Sequence, residues 1–152
     1  MTLNEIHGEI DKRWPKHLAE TRKILKVPSI SMTGQGIRET ANIFDSFLKR
    51  LGSKTKQFKG SGNIHPLVYG HLDVGAEKSV ILYSMYDVMP PGDLDEWDHP
   101  PFGAKIVKQK PYGEILVNRG VYNSKGSLVV TLLAIETMID NGQMPLNIHF
   151  LI

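Results

Sequence analysis

Val80-Ile81-Leu82-Tyr83-Ser84-Met85-Tyr86-Asp87-Val88-Met89-Pro90-Pro91 is the stretch on which the fold turns. Val80 to Ser84 are apolar, β-branched or aromatic in the proportion that suits a core strand. Pro90 and Pro91 end regular pairing, because proline has no amide proton to give a neighbouring strand. A single acid, Asp87, thus falls just past the end of an apolar strand. Ligands of open α/β sheets bind in the crevice at strand ends, so Asp87 is a candidate functional residue. The segment continues into Glu96-Trp97-Asp98-His99-Pro100-Pro101-Phe102-Gly103, a loop that its Trp and Phe can anchor beside a pocket.

Towards the N-terminus, Ile6, Ile10, Trp14 and Leu18 recur every four residues, which predicts one apolar face of a helix from Asn4 to about Leu25, kinked at Pro15 and stopped near Val27-Pro28. A second helix is expected from about Ile37 to Leu51, burying Ile37, Ala41, Phe44, Leu48 and Leu51, with Gly52 at its C-terminal cap. Further short strands are expected at Thr55–Lys59, Pro66–Tyr69, Ala104–Lys108 and Glu114–Asn118, the last two joined as a hairpin around Lys110-Pro111-Tyr112-Gly113.

Leu128, Leu132, Ile135 and Ile139 predict a mostly apolar helix from Ser127 to Asp140, ending at Asn141-Gly142. Leu146 to Ile152 then reads as a buried strand. Helices, a run of strands, a helix and another strand indicate an α/β protein: a mixed β-sheet with flanking helices. Since nothing after Ile152 turns the chain away from the core, it is expected to be a fragment of a longer protein.

Composition narrows the function. The 152 residues fit one domain, and 18 Lys and Arg against 16 Asp and Glu, unclustered, give no basic stripe for nucleic acid. The absence of cysteine removes disulfides, thiolate metal sites and cysteine nucleophiles. No apolar run approaches the roughly 18 residues that cross a bilayer, and residues 1–14 contain no apolar signal core, so no membrane partner and a cytoplasmic location are expected.

Three segments compete for the chemistry. His71 and Asp73 point the same way along an extended chain, but Gly75 and the polar Ala76-Glu77-Lys78 place them at a hairpin tip. Asp87 has the strand-end position. Asn118-Arg119-Gly120-Val121-Tyr122-Asn123-Ser124-Lys125-Gly126 joins a strand to the start of the apolar helix, where Asn123 and Ser124 are expected to act as caps. No Gly-x-Ser-x-Gly elbow surrounds any serine, and His149, inside an apolar strand, reads as a packed or surface histidine.

In order and spacing these segments resemble the zinc-dependent aminoacylases, acetylornithine deacetylases, succinyl-diaminopimelate desuccinylases, dipeptidases and carboxypeptidase G. Val27-Pro28-Ser29-Ile30-Ser31 matches their early Pro-Ser-(Val/Ile)-Ser, and Ser84 to Pro90 their strand end Gly-His-Tyr-Asp-Val-x-Pro. Trp97 to Phe102 matches Trp-x-x-x-Pro-Phe, and Arg119 to Gly126 matches Arg-Gly-x-x-Asp-x-Lys-Gly. The resemblance implies that residues 1–152 are the N-terminal portion of a single catalytic domain. It implies a Glu-Gly-x-Glu-Glu motif with the general base, a dimerisation domain and a last histidine ligand further on.

The resemblance also implies a divalent metal, zinc in the intact protein, a small-molecule or peptide substrate, and a homodimer. It puts Met85 where the first zinc-binding histidine belongs and Asn123 where the carboxylate bridging two metals belongs. Asp87, which orients that histidine in the family and supports the catalytic group, is kept. A thioether suits softer ions than zinc and an amide carries no charge, so the expected site is weakened at both substituted positions. The expectations for the intact protein are an amidohydrolase or peptidase with a rearranged or single-metal site, this chain alone being inactive; a degenerate relative that binds amino-acid-like ligands; or a structural role.

Overall fold

A computed structural model describes residues 2–59 and 65–152. Helix α1 (Leu3–Leu25) starts at Thr2, whose hydroxyl accepts from the Glu5 amide while the Glu5 carboxylate accepts from the Thr2 amide. This reciprocal capping box satisfies amides that the first helical turn leaves free. The helix runs through Pro15. Its apolar face is only partly covered: Ile6, Ile10 and Trp14 are 42%, 48% and 56% exposed. Only the C-terminal part of α1 reaches the core, through Thr21, Ile24 and Leu25. A four-residue repeat fixes which side of a helix is apolar but not how far the layer beneath it extends.

Helix α2 (Ile37–Arg50) buries Ile37, Ala41, Phe44 and Leu48, with Leu51 buried at its cap. Gly52, at φ 88°, turns the chain, and Ser53 donates back to the Leu48 carbonyl at 3.0 Å. This is the left-handed exit that glycine makes without steric cost.

Four strands form the main sheet: β1 (Lys54–Phe58), β2 (Leu67–Leu72), β3 (Ser79–Tyr83) and β6 (Asn147–Leu151), in the order β1-β2-β6-β3. β6 runs parallel to β3 and antiparallel to β2, so the sheet is mixed as expected. Between β3 and β6 the chain makes a 3-10 turn (Leu94–Glu96), the separate hairpin of β4 (Lys105–Gln109) and β5 (Gly113–Val117), and helix α3 (Lys125–Asp140).

Because side chains alternate across a strand, one face of the sheet carries Val68, Gly70, Leu72, Ile148 and Phe150. These close a core with α2 and α3 around Phe44, Leu48, Leu128 and Leu132. Gly70 is required there: a Cβ would lie 2.8 Å from Leu48 Cδ1, and its absence lets α2 settle onto the sheet. Each such fully buried aliphatic or aromatic side chain contributes roughly 1.5–3 kcal/mol. Glu20 of α1, Arg50 of α2 and Glu136 of α3 join the helices, with Arg50 2.7 Å and 2.9 Å from the two carboxylates and 4.0 Å above the Phe47 ring.

The hairpin-tip reading of His71 and Asp73 is corrected. His71 lies inside β2 and pairs with Lys54 on one side and His149 on the other, and β6 separates β2 from β3. Gly75 and the polar residues after it do form a turn, but one that crosses the end of β6. Asn147 holds it, accepting from the Val74 and Ala76 amides and donating to the Ala76 carbonyl. No local signal tells a tight hairpin from a turn that spans a third strand inserted later in the chain.

Candidate active-site cleft

Past β3 the chain stays extended, and burial alternates: Met85 is 45% exposed, Tyr86 and Val88 are buried, and Asp87 is half-buried. The buried pair is held by the segment after α1. The Ser29 hydroxyl donates to the Tyr86 carbonyl at 2.6 Å, the Val88 amide to the Ser29 carbonyl at 2.8 Å, and the Ser31 amide to the Val88 carbonyl at 3.0 Å. Ile30 and Val88 make a parallel bridge. Asp87 is thereby fixed between two anchored peptides, its side chain on the opposite side from the core.

Tyr86 points inward and donates its hydroxyl to the Pro66 carbonyl at 2.6 Å. Burial, reinforced by the Asp87 charge, pushes that hydroxyl up to about 12.

The other wall is the turn from Asn118 to Lys125. Asn118 is buried and holds three backbone groups: its side chain accepts from the Ala104 amide and donates to the carbonyls of Leu25 and Arg119. Gly120, at φ 79°, lets the walls meet, since a Cβ there would sit 2.4 Å from Val88 Cγ1. Arg119 ties them by donating from Nε to the Met89 carbonyl at 2.9 Å.

Lys125, at the first turn of α3, is wholly buried and donates Nζ to the Val27 carbonyl, with the Phe102 ring 5.8 Å away. Burial lowers its ammonium to about 8, because a charge is poorly solvated in an apolar surround.

Ser124 occupies the N-cap position of α3, but the predicted cap bond is absent: its hydroxyl is buried without a partner. The turn is closed instead by Gly126 N donating to the Gly120 carbonyl at 3.0 Å, which tucks Ser124 Oγ beneath Gly120. Asn123 is exposed at the rim.

The walls enclose a cleft of about 450 Å³ that brings together all three of the singled-out positions, Met85, Asp87 and Asn123, along with Trp97 and Arg119. His71, Asp73 and His149 are not part of it. Asp87 and Arg119 are its charged lining residues, one of each sign. Trp97 is fixed by donating from its indole to the Pro91 carbonyl at 2.9 Å.

As an ion site the donors of this chain do not fit a two-metal centre. Met85 offers a thioether, Asn123 a neutral amide and Asp87 the one carboxylate, whereas zinc favours imidazole, thiolate and carboxylate. Among the described residues, no three His, Cys, Asp or Glu side chains converge to hold an ion.

Sequence reading alone missed three features: the double grip of Ser29 on the Asp87 segment, the charge that Arg119 brings to the cleft, and the complete burial of Lys125. The matched Pro28-Ser29-Ile30-Ser31 motif was the available signal for the first.

No profile of a known protein family matches the chain. Among curated proteins, a Cys-Gly metallodipeptidase of Candida albicans is 30% identical over 165 aligned positions, covering 97% of this chain and 33% of that protein. A succinyl-diaminopimelate desuccinylase of Blochmanniella floridana is 27% identical over 122 positions, covering 79% of this chain and 29% of its own length. The crystal structure of an M20 family metallo-carboxypeptidase from Sulfolobus solfataricus matches with a TM-score of 0.79 at 36% identity, over 89% of this chain and 30% of that one. The chain is a homologue of the M20 family metallopeptidases. This M20 homologue spans about a third of the length of these relatives, which form a family of metal-dependent amide and peptide hydrolases.

Proposed function

We propose that the protein is a metal-dependent hydrolase of amide or peptide bonds in small N-acyl amino acids or peptides, and that residues 1–152 form the N-terminal portion of its catalytic domain. In this reading zinc is the metal, the intact protein is a cytoplasmic homodimer, and this chain by itself hydrolyses nothing. One observation carries it: Met85, Asp87 and Asn123, the positions singled out by motif, line one cleft at the end of β3 beside Arg119. Arg119 suits the carboxylate that N-acyl amino acids and peptides share, and Asp87 suits the ammonium that peptides alone carry. Trp97 supplies the apolar wall, and the Ser29 clamp keeps Asp87 from moving away.

A second reading, a degenerate relative that binds such ligands without hydrolysis, is favoured by the thioether and amide at the two ligand positions. The test measures dipeptides and N-acetyl amino acids against both the 152-residue chain and the intact protein, with and without chelator, using Asp87→Ala as the control. Hydrolysis by the intact protein that chelator abolishes supports the first reading. Ligand-induced stabilisation that ignores chelator, with no hydrolysis, supports the second and overturns the first. Turnover by the 152-residue chain would refute its inactivity.

A further inference from the structure

The cleft at the end of β3 carries more exposed apolar surface than its two charges account for. Met85, Asp87 and Met89 are alternate residues of one extended segment, so their side chains point the same way, with a thioether roughly 6–7 Å to either side of the acid. Met85 and Met89 are 45% and 60% exposed. Trp97, half-buried, and Tyr122, 91% exposed, line the same cleft. Apolar side chains scattered over a surface need no explanation, but four around one concavity mark a place where a ligand is held.

Two backbone carbonyls set how that ligand lies. The Met89 carbonyl accepts from Arg119 Nε at 2.9 Å, and the Pro91 carbonyl, two residues on, accepts from the Trp97 indole at 2.9 Å. One short segment thus carries the guanidinium and the indole side by side. The Arg119 side chain makes no other hydrogen bond among the described residues, which leaves its terminal nitrogens for an anion. A carboxylate held there puts the neighbouring carbon, and the side chain it bears, against Met89 and Trp97. Thioethers are polarisable and flexible, mould to their partner and contact aromatic rings favourably, and an indole packs well against a second ring. At about 450 Å³ the cleft has room for an acylated amino acid with a bulky side chain.

We propose that the cleft selects amino-acid derivatives with a large aromatic side chain: Arg119 holds the carboxylate, Asp87 accepts from the nitrogen, and the ring lies against Met89 and Trp97 with Met85 and Tyr122 around it. This rests on the proposed reading of the cleft as a site for amino-acid-like ligands and narrows it to aromatic ones. Met85 then has a part of its own, because the residue that takes away a metal donor adds to the wall that holds the ring.

The test titrates the 152-residue chain with N-acetyl-L-phenylalanine, N-acetylglycine and N-acetyl-L-phenylalaninamide, following the indole N–H signals of its two tryptophans by nuclear magnetic resonance. N-acetyl-L-phenylalanine should bind about tenfold or more tightly than the other two, and should move the Trp97 signal but not that of Trp14. Met89→Ala and Tyr122→Ala, at exposed side chains whose truncation spares the core, should each cut the preference for phenylalanine over glycine about threefold or more. Equal affinity for the phenylalanine and glycine compounds would overturn the aromatic preference and leave the amino-acid reading standing; binding of neither would overturn both. The inference would also fall if the preference survived in the Met89→Ala/Tyr122→Ala double variant, or if the amide bound as tightly as the acid. A response at Trp14, which lines a separate groove between α1 and α3, would place the ring outside the cleft and overturn it as well.

Discussion

Replacing Lys125 by Met should remove a pH dependence of stability that the fold builds in. The Lys125 ammonium falls from its ordinary 10.5 to about 8, because it is buried. For a base lowered in this way, the unfolded chain holds more protons than the native one between about pH 8 and pH 10.5, so stability rises with pH through that window. At about 1.4 kcal/mol per pH unit the full gain is about 3 kcal/mol, of which about 2 kcal/mol accrues between pH 7.5 and pH 9.5. Tyr86 works in the opposite sense, since a raised tyrosine costs stability once the unfolded chain ionises, but that loss falls above its ordinary value of 10 and so lies mostly outside this window. Urea unfolding at the two pH values, on both proteins, reads the difference directly. The wild-type chain should become more stable by about 2 kcal/mol relative to the Met variant as pH rises. Identical slopes in the two proteins would refute the reasoning, because they would mean that the amine is solvated in the native state.

Other substitutions test the architecture. Gly120→Ala combines a left-handed backbone with a Cβ 2.4 Å from Val88 Cγ1; thermal unfolding should show a loss of about 2–4 kcal/mol, and a loss under 1 kcal/mol would mean that the two walls separate easily. Arg50→Ala removes a partner from Glu20 and Glu136 together with its stacking on Phe47. As Arg50 is partly exposed, denaturant melts should register about 1–2 kcal/mol, less at 1 M salt. Asn118→Ala leaves the Ala104 amide and the Leu25 carbonyl without their partner and should cost about 2–4 kcal/mol in the same assay.

The core was legible because periodicity reports it directly. The predicted α2 stripe of Ile37, Ala41, Phe44 and Leu48 is buried as spaced, as are Leu128, Leu132 and Ile135 of α3. What the pattern could not convey was order in space. β6, last in the chain, enters between β2 and β3, and this moves His71 from a supposed turn into a paired strand. The row Ile6, Ile10 and Trp14 shares one face of α1 as spaced, yet it stays exposed for a related reason. A helix pattern names an apolar face but not how closely a neighbour shuts on it: Ile6, Ile10 and Trp14 line an open groove beside Val130, Leu133 and Met138 of α3.

The cleft was legible as a set of residues and not as a geometry. Asp87 was found from its strand-end address, and the structure places Met85 and Asn123 beside it. The supports were invisible, because Ser29, Asn118 and Lys125 act through backbone groups far away in sequence, the Tyr86, Leu25 and Val27 carbonyls. Small polar residues of this kind carry no period.

The proposed function treats this cleft as a metal cleft in which two donors have been replaced. Zinc titration of the wild-type chain against the Met85→His/Asn123→Asp double variant tests it most directly. Restoring an imidazole and a carboxylate at the rim should raise zinc affinity by about 10 to 100-fold or more. Equal affinities in the two proteins would contradict it.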